Sequence, residues 1–151
     1  MLGDTRDRDS HRPDHTQQPL RFGFAWLFLS VALTSHLTGE ALTDLLSVYN
    51  PAVQAIRKRV PFVPLRIFTF KVWLGGLCLG VLVVFGLSYL AFRRRPSAIV
   101  AAYPVAFLMF ANGIGHIGAS LYRRRIMPGL YSSPLLVAAS AYLFYCAQVL
   151  R

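Results

Sequence analysis

The sequence has no acidic side chain beyond Asp44. All six carboxylates, Asp4, Asp7, Asp9, Asp14, Glu40 and Asp44, fall in the first 44 of 151 residues, while the remaining 107 carry twelve of the sixteen lysines and arginines. A soluble domain mixes both signs over its surface, so a body without acids argues against one. Only 15% of the residues are charged and 55% are hydrophobic. That balance excludes a disordered chain and points to a membrane protein, whose loops are dominated by Lys and Arg. Cysteine is scarce too: Cys78 and Cys146 lie inside apolar stretches, with neither the number nor the spacing of a disulfide framework or zinc knuckle. The net charge of +10 raises the question of nucleic acid. The basic residues, however, stand in short blocks between apolar runs, and no nucleic-acid partner is expected.

What is present is a succession of long apolar segments. Residues 1–21 are polar, mixed in charge and interrupted by Pro13 and Pro19; they read as a disordered tail without the apolar core of a signal peptide. The first hydrophobic helix is therefore expected to stay in the mature protein. It is predicted over about 22–48, starting with fourteen uncharged residues and stopped by Asn50-Pro51. The stretch from Pro51 to Lys71, with Arg57-Lys58-Arg59, Pro61 and Pro64, reads as an interfacial connection. A second helix is predicted over 72–92, 21 residues without a charge before Arg93-Arg94-Arg95-Pro96, long enough to cross a bilayer. A third spans about 97–122 and carries a kink at Pro104; a fourth covers 134–150. The fold class is thus an all-α, polytopic membrane bundle of about four transmembrane helices. Orientation is undetermined, because eight basic residues fall on each side of such a four-span arrangement and the positive-inside rule is tied.

Ionisable side chains inside a membrane helix cost about 2.5–3.5 kcal/mol for Asp at mid-bilayer, so each requires a reason. His36, Glu40 and Asp44 stand four apart on one face of the first helix, turned toward a protein interior or a wet cavity. The third predicted helix repeats the device with Asn112 and His116, set among Gly113, Gly115 and Gly118. Small residues there let another helix pack closely. In a four-span bundle the first and third helices run in the same direction, which places Glu40, Asp44 and His116 at similar depth. Three readings follow: a divalent metal held by His36, Glu40 and His116 with an open position; general acid–base chemistry with Glu40 as acid and His116 as base; or groups that only satisfy one another. Gly113-Ile114-Gly115-His116-Ile117-Gly118 matches G-x-G-x-x-G in letters, but no strand precedes it and no acid follows it, so no nucleotide cofactor is expected.

His36-Leu37-Thr38-Gly39-Glu40, Asn112-Gly113-Ile114-Gly115-His116 and Pro128-Gly129, in that order across residues 24–150, resemble the HXXEE-domain family of small bacterial integral membrane proteins. The resemblance implies a helical membrane domain in a bacterial inner (plasma) membrane, with enzymatic activity of undefined chemistry. The sequence departs from the motif at Gly39, where the first glutamate would stand. Either that carboxylate is lost, or Asp44 one turn on replaces it, or the protein does something different from the family.

Together these features lead to an expected enzyme acting on a membrane lipid, isoprenoid or other apolar small molecule that enters from the bilayer. Glu40, with Asp44, would be acid or metal ligand; His36 and His116 would be bases or ligands; Asn112 would orient by hydrogen bonding. Arg57, Arg59, Arg123 and Arg124 are candidates for holding a substrate head group, although such blocks are ordinary topology signals. The chemistry would be metal-assisted hydrolysis, or proton-initiated isomerisation or cyclisation. A small transporter or proton relay and a non-catalytic scaffold subunit are the alternatives, with self-association open.

Overall fold

The computed structural model describes residues 17–62 and 64–150. Among them are five α-helices and no strand: α1 Gln17–Leu42, α2 Leu45–Arg59, α3 Phe70–Phe92, α4 Pro96–Arg123 and α5 Ser133–Val149. Helices α1, α3 and α4 are long and apolar enough to cross a membrane. With 17 residues, α5 lies at the lower edge of the spanning range. Residues 1–16 of the expected polar tail lie outside the described residues, and the remaining five begin α1.

The first predicted helix, 22–48, is corrected in two respects. It starts at Gln17, and it breaks at Asp44, whose φ of 51° is left-handed. Asp44 reaches the exposed end of α1 and precedes the first turn of α2, where unpaired N–H groups favour an anion. The segment after it is also helix where a connection was expected. Pro51 lies inside α2 and does not end it; the helix stops after the basic turn Arg57-Lys58-Arg59. The linker back to α3 is pinned by Asn50, whose Nδ2 donates to the Phe68 carbonyl at 2.9 Å while its Oδ1 accepts from the Phe68 N–H at 3.1 Å. The other three predicted spans match α3, α4 and α5 to within two residues at each end, and α4 runs as one helix through Pro104.

The buried face of α1 is one continuous stripe. Phe22, Ala25, Trp26, Leu29, Ala32 and Leu33 give way to His36 and Glu40 without leaving it, at the spacing of one helical face. Hydroxyls elsewhere on α1 stay satisfied by donating one turn back, as Ser30 does to the Trp26 carbonyl and Thr34 to that of Ser30. Helix α5 packs against both α1 and α4, and α3 lies along α1 while meeting α4 more loosely. On α4, Ala98, Ala102 and Ala106 form a buried small-residue stripe, which allows close helix approach. Most large side chains of α3, including Val72, Leu79 and Leu82, are exposed, as a lipid-facing helix requires. Both cysteines are free.

Candidate functional site

Three elements converge at the C-terminal end of α1. The last two turns of α1 bring His36 and Glu40, the second half of α4 brings Asn112 and His116, and the turn before α5 closes over them. Glu40 Oε1 lies 2.7 Å from His116 Nε2 and 3.2 Å from His36 Nε2. The two imidazoles meet edge to face with centroids 4.9 Å apart. His36 is fully buried and Glu40 only 4% exposed. Asn112 Nδ2 stands 3.4 Å from His36 Nε2, at the long limit of a hydrogen bond.

The turn residues set the orientation of both rings. His116 Nδ1 donates to the Pro128 carbonyl at 2.7 Å; a carbonyl only accepts, so Nε2 carries the lone pair that faces Glu40 whenever the ring is neutral. His36 Nδ1 is 2.9 Å from Ser132 Oγ, whose hydroxyl donates to the Gly129 carbonyl at 3.2 Å. Ser132 carries a single hydrogen, so the tautomer of His36 decides between this arrangement and the one in which Oγ donates to Nδ1 and His36 Nε2 donates to Glu40. Gly129 has a φ of +82°, and a Cβ there would lie 2.9 Å from His36 Cε1 and 3.0 Å from His116 Nδ1. Only a residue without a side chain lets this turn rest on both rings. Gly113 plays a similar part on α4, where a Cβ would lie 2.7 Å from Val137 Cγ2 of α5.

Two cavities share this centre. One of about 540 Å³ is walled by apolar side chains of α1, α3 and α4, among them Leu33, Leu37, Trp73 and Met109, with Glu40, Asn112 and His116 as its polar wall. Gly76 and Gly80 line it with no neighbour within 4 Å of a Cβ, so within this chain they make room and do not receive a packed helix. The other, of about 350 Å³, lies under α2 and is lined by Ala52, Gly115, Arg123 and Met127; Leu45, Tyr49, Asn112 and His116 belong to both.

Of the residues expected from sequence, His36, Glu40, Asn112 and His116 are brought together. Asp44 is not: it is exposed at the α1–α2 break, because the helix that would have stacked it on Glu40 ends two residues earlier. It therefore does not replace the missing motif glutamate. Arg57, Arg59, Arg123 and Arg124 are all exposed; of these, Arg123 reaches a cavity shared with His116. Sequence reasoning missed Ser132, Gly129 and Tyr49 as site residues. The Pro128-Gly129 turn was the available signal for the first two, since a glycine between two helices marks a turn whose carbonyls need partners.

These features define a polytopic helical membrane protein with a buried His–Glu–His centre opening on an apolar cavity. The sequence model of a family described as "Protein of unknown function with HXXEE motif" matches residues 26–144, and the chain belongs to that family. No curated protein and no solved structure matches it.

Proposed function

We propose that the protein is a membrane-embedded enzyme acting on an apolar or lipid-like molecule, an isoprenoid being one such class, that enters laterally from the bilayer. The observation that carries the reading is the 540 Å³ apolar cavity whose polar wall is Glu40, Asn112 and His116. Its volume falls in the range of about 300–1,000 Å³ typical of small-molecule sites, which combine apolar walls with a few convergent polar groups. The loose contact of α3 with α4 supports entry from the lipid side. Glu40 and His116, 2.7 Å apart, are close enough to pass a proton; Asn112 orients the reacting group, and Arg123 faces a substrate head group from the second cavity. Proton-initiated rearrangement and hydrolysis both suit this constellation. We place the protein in a bacterial inner membrane on the same reading.

The test uses the full chain reconstituted with total membrane lipid, with Glu40→Gln as a matched, folded control. Mass spectrometry is expected to find a lipid consumed and a product formed only with the wild type. Identical lipid profiles for the two proteins would overturn the proposal. A proton relay is the second reading, favoured by two cavities that meet at Asn112 and His116. It predicts pH-gradient-driven uptake in proteoliposomes that His116→Ala abolishes, and it fails if the variant takes up protons as the wild type does.

A further inference from the structure

We infer that Nε2 of His36, Nε2 of His116 and the Glu40 carboxylate bind one first-row divalent cation of the zinc class. As the cofactor of a catalyst this rests on the enzyme reading above; as a bound ion it is measurable without it. The three ligand atoms lie within 4.8 Å of one another, and Oε1 is already 2.7 and 3.2 Å from the two nitrogens. Donors at about 2.0–2.1 Å around a tetrahedral ion are separated by about 3.3 Å, so small ring rotations complete the geometry.

Histidines that ligate a metal almost always donate their other N–H to a carbonyl, carboxylate or similar oxygen, which fixes the tautomer and the ring plane. Both histidines have an oxygen at the other nitrogen here: Nδ1 of His116 meets the Pro128 carbonyl and Nδ1 of His36 meets Ser132 Oγ. The two Nε2 atoms and a carboxylate oxygen thus face one another across a common place. A cation placed between the three atoms would satisfy them together.

The donor set narrows the ion. Imidazole nitrogen with one carboxylate suits zinc, iron(II) or cobalt(II), whereas magnesium and calcium prefer all-oxygen shells. Three protein ligands leave a position open. Glu40 and His116 also line the larger cavity, with Asn112 beside them, so a molecule held there would be near such a position.

The experiment is elemental analysis of the full chain, purified in detergent with an affinity tag free of histidine. About one equivalent of a first-row divalent metal is expected, exchangeable for cobalt(II) with visible bands of a tetrahedral site, and lost in Glu40→Gln. Ser132→Ala keeps all three ligands and guards against misfolding of the ligand variant; it is expected to weaken zinc binding by about 10–100-fold, the usual effect of losing such a partner. Folded wild-type protein that carries no metal and takes up neither zinc nor cobalt would overturn the inference, as would Glu40→Gln that binds like the wild type. Metal-free protein that still converts lipid overturns the cation and leaves the enzyme standing. One bound equivalent in a protein that converts no lipid does the reverse.

Discussion

Replacing Gly129 by alanine tests the geometry of the centre without touching any of its ionisable groups. The added methyl would lie 2.9 Å from His36 Cε1 and 3.0 and 3.1 Å from His116 Nδ1 and Cε1. Gly129 is itself buried, and the rings it meets are held by Ser132 and Pro128 on one side and Glu40 on the other, so neither can retreat freely. Overpacking of this kind costs about 1–3 kcal/mol. The left-handed φ of +82° adds a backbone penalty of about 1–2 kcal/mol for any residue with a Cβ. The expected loss is therefore about 2–5 kcal/mol, measured by reversible unfolding in mixed micelles followed by circular dichroism. Gly39→Ala is the control of opposite sign: its Cβ would meet only Ser132 Oγ at 3.7 Å, and relief of glycine's backbone entropy in a helix is worth about 0.5–1 kcal/mol. A Gly129→Ala protein within about 0.5 kcal/mol of the wild type, the range of an unremarkable surface change, would refute the claim that this turn rests on the two imidazoles.

Other substitutions separate the parts of the site. Glu40→Gln keeps the shape of the side chain but removes its charge, and any lipid turnover is expected to fall by about 10²–10⁴-fold, the usual contribution of a general acid or base; mass spectrometry of reconstituted lipid checks it. Asp44→Asn alters an exposed residue at the helix break and is expected to leave both cation content and stability within about 0.5 kcal/mol of the wild type, as measured by elemental analysis and unfolding. Gly80→Phe places a ring where nothing lies within 4 Å of a Cβ on the wall of the larger cavity; it is expected to block lipid turnover while bound metal, by elemental analysis, stays unchanged. Gly39→Glu restores the motif carboxylate beside Ser132 Oγ and is expected to tighten zinc binding in a competition titration; weaker binding would show that the carboxylate does not reach the centre.

The four apolar helices were legible because a membrane helix is written in length and hydropathy; three of these helices are long enough to cross a bilayer, and α3, α4 and α5 end within two residues of their predicted limits. Helix α2 was not. Its composition is interfacial, its interior contains Pro51, and a proline after an asparagine reads as a stop; Asp44, by taking a left-handed conformation, ends α1 first and starts a new helix across that proline. The four-residue spacing that revealed His36 and Glu40 therefore overreached by one turn in adding Asp44. The meeting of α1 with α4 was legible from depth alone, since polar residues on parallel helices at one level are natural partners. Ser132 was not, because a serine in a short turn carries no sign of what it touches; the Pro128-Gly129 turn was visible, but not its contact with the two imidazoles.

The distribution of polarity along α1 argues for function over scaffolding. His36 and Glu40 continue the buried stripe begun by Phe22 and Trp26, so leucine at either position would keep the pattern. Apolar replacements of buried ion pairs are often neutral or stabilising, so packing alone gives little reason to keep ionisable groups there. The chain instead surrounds them with partners from two other elements. Residue 39 directs its Cβ toward Ser132 Oγ, 3.7 Å away, and that oxygen is the atom paired with His36 Nδ1. With glycine there, the serine at the head of α5 holds the ring in its place, and the centre keeps both imidazoles aimed at Glu40 with a single buried carboxylate. The shortest of the apolar helices thus contributes more to the site than its length suggests, because its leading turn fixes both histidines.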